Sequence, residues 1–260
     1  MTITTPRRFG WRPNPPDTRD RLHARRHGMV RAEGRRFDGL IDHVRDQGNT
    51  SSCVGHACVG ALELLYALEQ RPISPRSPMH AYWSARARDK FQHEDAGAYI
   101  RSCLKVLRKR GVCSEATLPL DDRDPQRGGT INARPPQAAD NEAVTFADFS
   151  FEAVQGGAEG TIDTLQNGKP VVIGGDVTTA FVFCSSDETI PAPKPGDVRQ
   201  GGHAWVLVGF DRHGERVLGW NSWGSTYGFG GLMWLDAEWC EDSNSSDKTA
   251  LVATATAEVA

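Results

Sequence analysis

Two stretches of this chain repeat apolar residues at helical spacing, and both lie in its first half. Val54, Ala57, Cys58, Ala61, Leu62, Leu65 and Leu68 keep the three- and four-residue steps of one helix face, so a buried helix is expected over about 53–69. Ser51 or Ser52 stands where its N-cap belongs. Gly55 and Gly60 each weaken such a helix by ~1 kcal/mol relative to alanine, which points to close packing against a neighbouring backbone. The second pattern, over about 98–110, sets Ile100, Cys103, Leu104 and Leu107 on one face and Arg101, Lys105 and Arg108 on another. That basic face is expected to be solvated rather than ligand-binding.

After these the pattern changes. Residues 121–140 string together Asp, Pro, Gly and Arg, as a loop or lobe boundary does. Beyond it come short β-like runs: Val171–Ile173 after Gly168-Lys169-Pro170, then Ala204–Phe210, Arg216–Trp220 and Gly231–Leu235. The C-terminal half is therefore expected to be mostly sheet, with Trp205, Trp220 and Trp234 as core aromatics. Asp242–Asp247 reads as a polar turn before a small-residue tail. Residues 1–36, with Pro13, Pro15, Pro16 and scattered arginines, lack sustained periodicity and should lie extended on the body.

Composition adds limits. The 260 residues are 38% hydrophobic and 24% charged, ordinary for a globular chain with a sizeable core. Runs such as Ala204–Phe210 fall far short of the ~20 apolar residues that cross a bilayer, so no membrane partner is expected. Met1–Pro16 has no apolar core of a secretory signal, and no leader is expected. The net charge of −3 conceals an asymmetry, because residues 1–36 hold ten Arg and three acids, leaving about −10 for the rest. That basic arm has few aromatics and no nucleic-acid motif, so it is expected to lie on the acidic body and not on nucleic acid. The six cysteines include no Cys-x-x-Cys pair, which suits a reducing compartment such as the cytoplasm.

The candidate chemistry lies in three short segments. Gln47-Gly48-Asn49-Thr50-Ser51-Ser52-Cys53 sets a side-chain amide six residues before a thiol at the start of the first helix. A thiol becomes a nucleophile as thiolate, and a helix N-terminus or an imidazolium draws its pKa down. His203, in Gly201-Gly202-His203-Ala204-Trp205, is the candidate acid and base. Asn221, in Trp220-Asn221-Ser222-Trp223-Gly224, can fix the second ring nitrogen, while Gln47 and the Cys53 N–H can serve an oxyanion. Cys53, His56 and Cys58 do not share one helix face, so no metal is expected. The other five cysteines read as buried structural thiols, and no cofactor is required.

With Gln-Gly-(x)4-Cys, Gly-His-Ala before an apolar strand and Asn-Ser-Trp-Gly in this order, the chain resembles the papain family of cysteine peptidases over most of residues 38–236. Glu63 stands where the family's central helix often carries Glu. Residues 111–120 are similar to the family's Gly-Ile-x-x-Glu-x-x-Tyr-Pro-Tyr stretch, and 165–173 to the turn and strand that open its β lobe. The resemblance implies an α+β, papain-like two-lobe fold, a helical left lobe and an antiparallel β-barrel-like right lobe with the active-site cleft between them. Residues 1–37 would form the arm, about 38–120 the helical lobe, about 121–145 a connecting loop and about 146–260 the β lobe. It further implies that Trp223 shields the His203–Asn221 hydrogen bond and that Gly97, Gly202 and Trp223 border the substrate.

The departures refine this expectation. Thr50 replaces a cysteine that many secreted members place three residues before the nucleophile, which removes a disulfide. Val54 follows the nucleophile in place of Trp, and only Gly97 remains of a Gly-Gly stretch that pairs with substrate backbone. The long helical propeptide of secreted members is not expected. The reading is a thiol endopeptidase acting on a peptide or protein substrate. An acyltransferase, amidase or modifier-specific protease with the same thiol, or an inactive peptide-binding module, are the alternatives.

Overall fold

The computed structural model describes residues 7–23, 34–120, 131–146, 148–244 and 247–254. Of the loop expected at 121–145, residues 121–130 lie outside the described residues, as do 24–33 of the arm, and Gln137–Glu142 form a short helix instead of loop. The first half contributes β1 (Trp11–Arg12), β2 (Arg35–Arg36), α1 (Cys53–Leu68), α2 (Pro78–Arg88), β3 (Ala98–Tyr99), α3 (Ile100–Lys109) and α4 (Gln137–Glu142). The second contributes β4 (Phe149–Ala153), α5 (Gly157–Gln166), β5 (Val171–Thr178), α6 (Thr179–Val182), β6 (Thr189–Ile190), β7 (Arg199–Phe210), β8 (Arg216–Trp220), β9 (Leu232–Asp236) and β10 (Asp247–Ala253).

Helix α1 is buried from Cys53 through Tyr66, because it is wedged between α2 and α3 on one side and β7 on the other. A helix apolar nearly all round has no solvent face to offer. Its glycines mark the tightest approaches. A Cβ on Gly55 would stand 2.5 Å from the Pro78 carbonyl oxygen, and one on Gly60 3.0 Å from the Trp220 ring. The buried charge on this helix, Glu63, is answered by both Arg45 guanidinium nitrogens at 2.8 and 2.9 Å and by the Arg76 N–H at 2.7 Å. Arg45 also donates to Glu115 at 2.9 Å, so one forked cation ties three segments together.

Helix α2 is a feature that periodicity missed. Ser77 caps it by accepting the His80 N–H at 3.0 Å, and Pro78 opens its first turn. Its buried face carries His80, Ser84 and Arg86 among apolar residues, which breaks the apolar repeat. Arg86 survives burial because Asn132 Oδ1 accepts from it at 2.8 Å, the Ile131 and Glu94 carbonyls accept as well, and its guanidinium lies 4.0 Å from the Tyr82 ring centre.

β1 pairs with β3 in a two-stranded sheet, and the other eight strands form one sheet in the order β4-β10-β5-β7-β8-β9-β6, with β2 added to β7. Every pairing in it is antiparallel except β6 with β9. The small-residue tail expected after Asp247 is instead β10, paired on both edges: Thr249 faces Ala153 on β4 and Val172 on β5. A strand covered on both faces need not alternate polar and apolar residues, and Asp247–Leu251 are all buried. The basic face expected on α3 is solvated only in part, with Lys109 exposed and Arg101 covered. Arg101 donates to the Asn14 side chain from its N–H at 3.1 Å and to the Pro15 carbonyl from its guanidinium at 2.7 Å, and it pairs with Asp20. The arm lies over that face.

Because of the Pro78 carbonyl, Gly55→Ala should lower stability by about 1–3 kcal/mol, although alanine is the better helix former by ~1 kcal/mol. Urea unfolding checks the sign; a gain in stability would mean that α1 and α2 are not in this contact.

Candidate active site

Strand β7 delivers His203 to the junction with α1, opposite Gly175 of β5. Asn221 follows the last residue of the neighbouring β8. The Asn221 side-chain oxygen accepts the Ser222 N–H at 2.8 Å, which identifies it as oxygen, so His203 Nε2, 2.8 Å away, is the donor to it. The other ring nitrogen, Nδ1, is buried without a hydrogen-bond partner among the described residues. An aromatic box holds the ring. Trp223 lies over it at 4.4 Å between centroids, Phe181 meets it edge-on at 5.8 Å and Trp205 stacks beyond at 6.2 Å.

Gln47 is aimed from the other side. Ser222 Oγ donates to its Oε1 at 2.8 Å, leaving Nε2 to donate to the carbonyls of Thr50 at 2.7 Å and Arg8 at 3.3 Å. Thr50 closes a local ring instead of a disulfide: its hydroxyl donates to the Gln47 carbonyl at 2.7 Å and lies 2.6 Å from Ser52 Oγ. Asp95 anchors this loop by accepting the Ser51 N–H at 3.1 Å and the Tyr82 hydroxyl at 2.7 Å.

Cys53 is the first residue of α1 and fully buried. Burial pushes its thiol up to about 12, against hydrogen bonds from the backbone at Ala204, Gly10 and Val54 that draw it down. The Ala204 contact seats the sulfur against the strand position next to His203. Burial likewise takes His203 down to about 3, opposed by the bond to Asn221. Thiol and imidazole are thus both neutral at neutral pH in this state.

The arm creates that state. A Cβ on Gly10 would fall 1.8 Å from the Ser51 carbonyl oxygen, and one on Gly97 2.1 Å from the Gly10 oxygen. The Ala98 N–H donates to that oxygen at 2.8 Å, and β1 runs parallel to β3 with Trp11 opposite Ala98. Gly201 lies against the Phe9 ring and Gly202 against the Trp11 carbonyl, where a Cβ would come within 2.7 and 2.6 Å. Trp11 Nε1 donates to the buried Asp247 at 2.8 Å. Arg7 pairs with Asp46 at 3.0 Å with its guanidinium 5.4 Å from the Trp223 ring, and Arg8 pairs with Asp95 at 3.2 Å. Residues 7–11 therefore lie across Gly97, Gly202 and Trp223, the three positions expected to border substrate.

The structure brings Cys53, His203, Asn221 and Gln47 to one place. It adds Phe181, Asp95 and Trp11, which no local motif pointed to. All six cysteines are free thiols, and no cluster of three or more metal-ligating side chains occurs among the described residues.

Fold and site together define a thiol protease of two lobes. The model of the papain family cysteine proteases matches residues 31–250, and the chain belongs to that family. It is 26% identical to the uncharacterized peptidase C1-like protein L477 of Acanthamoeba polyphaga mimivirus, over 94% of this chain and 86% of that one. Among solved structures, xylellain, a cysteine protease from Xylella fastidiosa, superposes with a TM-score of 0.83 at 25% identity, covering 98% of this chain and all of the other. The fold extends to the Carica candamarcensis cysteine protease CMS1MS2 solved in complex with E-64, with a TM-score of 0.66 at 17% identity over 86% of this chain and 100% of that one.

Any side chain at position 10 collides with the Ser51 carbonyl, so Gly10→Val should lift the arm without altering the body. Alkylation of Cys53 by iodoacetamide should then accelerate at pH 7. Its pH inflection should fall from near the buried value of about 12 toward the ordinary cysteine range, about 8.5. Unchanged rate and inflection would show that the arm does not control the thiol.

Proposed function

We propose that this papain-family protease is a latent thiol endopeptidase in which Cys53 and His203 perform the chemistry once residues 7–11 leave the cleft. The observation that carries this reading is the buried His203 Nε2–Asn221 bond under Trp223, which leaves Nδ1 bare beside the strand position that touches the Cys53 sulfur. With water readmitted, the burial that holds both groups neutral is relieved, and the N-terminus of α1 favours thiolate.

The thiol proton passes to His203 Nδ1 and the sulfur attacks the peptide carbonyl carbon. The oxyanion is received by Gln47 Nε2, which the Ser222 hydroxyl already orients, and by the Cys53 N–H. Collapse of this intermediate breaks the C–N bond as His203 returns its proton to the leaving amine. Water, losing a proton to His203, then attacks the thioester, releasing the acid and restoring the thiol. Asn221 keeps the ring in the productive orientation. Gly97 and Gly202, whose lack of Cβ lets the arm backbone approach, would admit an extended substrate backbone in the same way.

In the Gly10→Val chain, hydrolysis of a fluorogenic peptide should be abolished by Cys53→Ala. Gln47→Ala should lower kcat by roughly 10²–10³ with little change in KM, the scale of one lost oxyanion donor. Mass spectrometry of products with an added amine separates hydrolysis from transfer: free acid as the main product supports the peptidase, and amide as the main product sinks it in favour of an acyltransferase.

A further inference from the structure

A cavity of about 600 Å³ lies away from Cys53, walled by the arm from Asn14 to Arg21, by α3 and by β4 and β10. Its charge is lopsided. Arg19, Arg101 and Lys248 are paired with Asp17, Asp20 and Asp242. Arg21, Arg88, Lys105, Arg108 and Lys109 also line it, without an ion pair among the described residues. The remaining acid of the lining, Asp247, is already engaged by Trp11 and the Asn14 N–H. Arg108 Nε is buried with no hydrogen-bond partner. Partial burial together with the fields of Arg88 and Arg101 holds the Lys105 ammonium below the usual lysine range. Cations collected in a concave site, several of them unneutralised, focus a positive potential on whatever enters.

The geometry points to a binding site for a compact, multiply charged anion of the polyphosphate type, which bridges the arm to the body. The class follows from the donors. Arginine and lysine with uncommitted N–H groups, facing one another across a space larger than a single phosphate, suit an anion with several phosphate groups. Walls on three sides suit a compact ligand better than an extended nucleic-acid strand, which tracks a groove. The consequence has a definite sign. Arg21 stands on the arm, whereas Arg88, Lys105, Arg108 and Lys109 stand on the body. Without an anion the repulsion of Arg21 by these body cations opposes docking of the segment that continues, through Asn14 and Trp11, into the cleft, and works against the Asp20–Arg101 pair that holds the same segment down. With one, repulsion becomes attraction and the arm is held closed, because a ligand that binds only the docked form stabilises it.

Calorimetric titration with inorganic tripolyphosphate tests the site on the Cys53→Ala chain, where failure of the peptidase reading has no influence. The expected result is one site per chain, weakened about tenfold or more by Lys105→Glu with Arg108→Glu, since each substitution removes a charge-assisted contact. Lys105→Gln, a milder change that keeps the fold, should weaken it to a lesser degree, and circular dichroism checks that each variant is folded. No binding beyond that of sodium chloride at equal ionic strength, equal binding by the folded variants, or tighter binding of a short RNA would overturn the proposal. In the chain with Cys53 intact, saturating tripolyphosphate should slow iodoacetamide alkylation several-fold; binding with no slowing would overturn the bridging role.

Discussion

The structure depends on the wedge of α1 between the helical layer and β7. Because that helix is buried nearly all round, its N-terminus ends inside the protein, at the line where the two lobes meet, and not at the surface. A thiol placed there meets strand β7 at Ala204, while the next strand supplies the residue that orients His203. The tight contacts at Gly55 and Gly60 set how deep the helix sits. A small shift along its axis would separate the sulfur from the imidazole. The Arg45 fork to Glu63 and Glu115 anchors the same helix from its far side, so the polar core is also a positional device. Breaking such a buried pair leaves an uncompensated charge, which is why it costs more than a surface bridge.

A second consequence of the wedge is that the site can be closed with little material. Phe9, Gly10 and Trp11 cover it because Gly97, Gly201 and Gly202 let backbone and rings approach to distances that a Cβ would forbid. Coverage acts on the electrostatics of the site. The His203–Asn221 bond is formed in the covered site, and burial moves thiol and imidazole in opposite directions, both toward the neutral form. An ion pair in such a site requires solvent or fixed dipoles to offset desolvation, and here the few backbone donors near the sulfur are outweighed.

Much of the site was legible because each of its parts is local. Gln47 precedes Cys53 by six residues on one loop, and His203 and Asn221 each stand at a motif whose neighbours are small or aromatic. Helix α1 and strands β7, β8 and β9 were legible because one uniform environment covers each of them. Helix α2 was not, since Arg86 and His80 are buried through partners distant in sequence and Ser84 breaks the apolar repeat. Strand β10 lacked alternation because neighbours cover both its faces. Phe181 and Asp95 have no signature, because their roles arise from what the fold sets around them. For the arm, charge asymmetry identified attraction to the body, but Coulomb attraction has no register. Its path is set by the lack of a Cβ on Gly10, Gly97 and Gly202.

The arm's hold on the cleft is divided between contacts of different strength. The pairs of Arg7 and Arg8 are partly exposed, and pairs of that kind contribute about 0–1 kcal/mol each and fade with salt. Trp11 contributes more, because it buries an indole while its N–H satisfies a carboxylate that burial would otherwise leave costly. An unsatisfied buried acceptor costs roughly 1–3 kcal/mol, more when charged. Lifting the arm therefore loses little at Arg7 and Arg8 and most at Trp11 and Asp247, unless water or another donor reaches that carboxylate. Asp247 is also a wall of the cationic cavity, so the strongest anchor of the cover adjoins a region where Arg21 of the arm faces like charges on the body while Asp20 pairs with Arg101. On the bridging role proposed for the cavity, closure follows the balance between these two neighbours, and the charge state of the cavity shifts that balance.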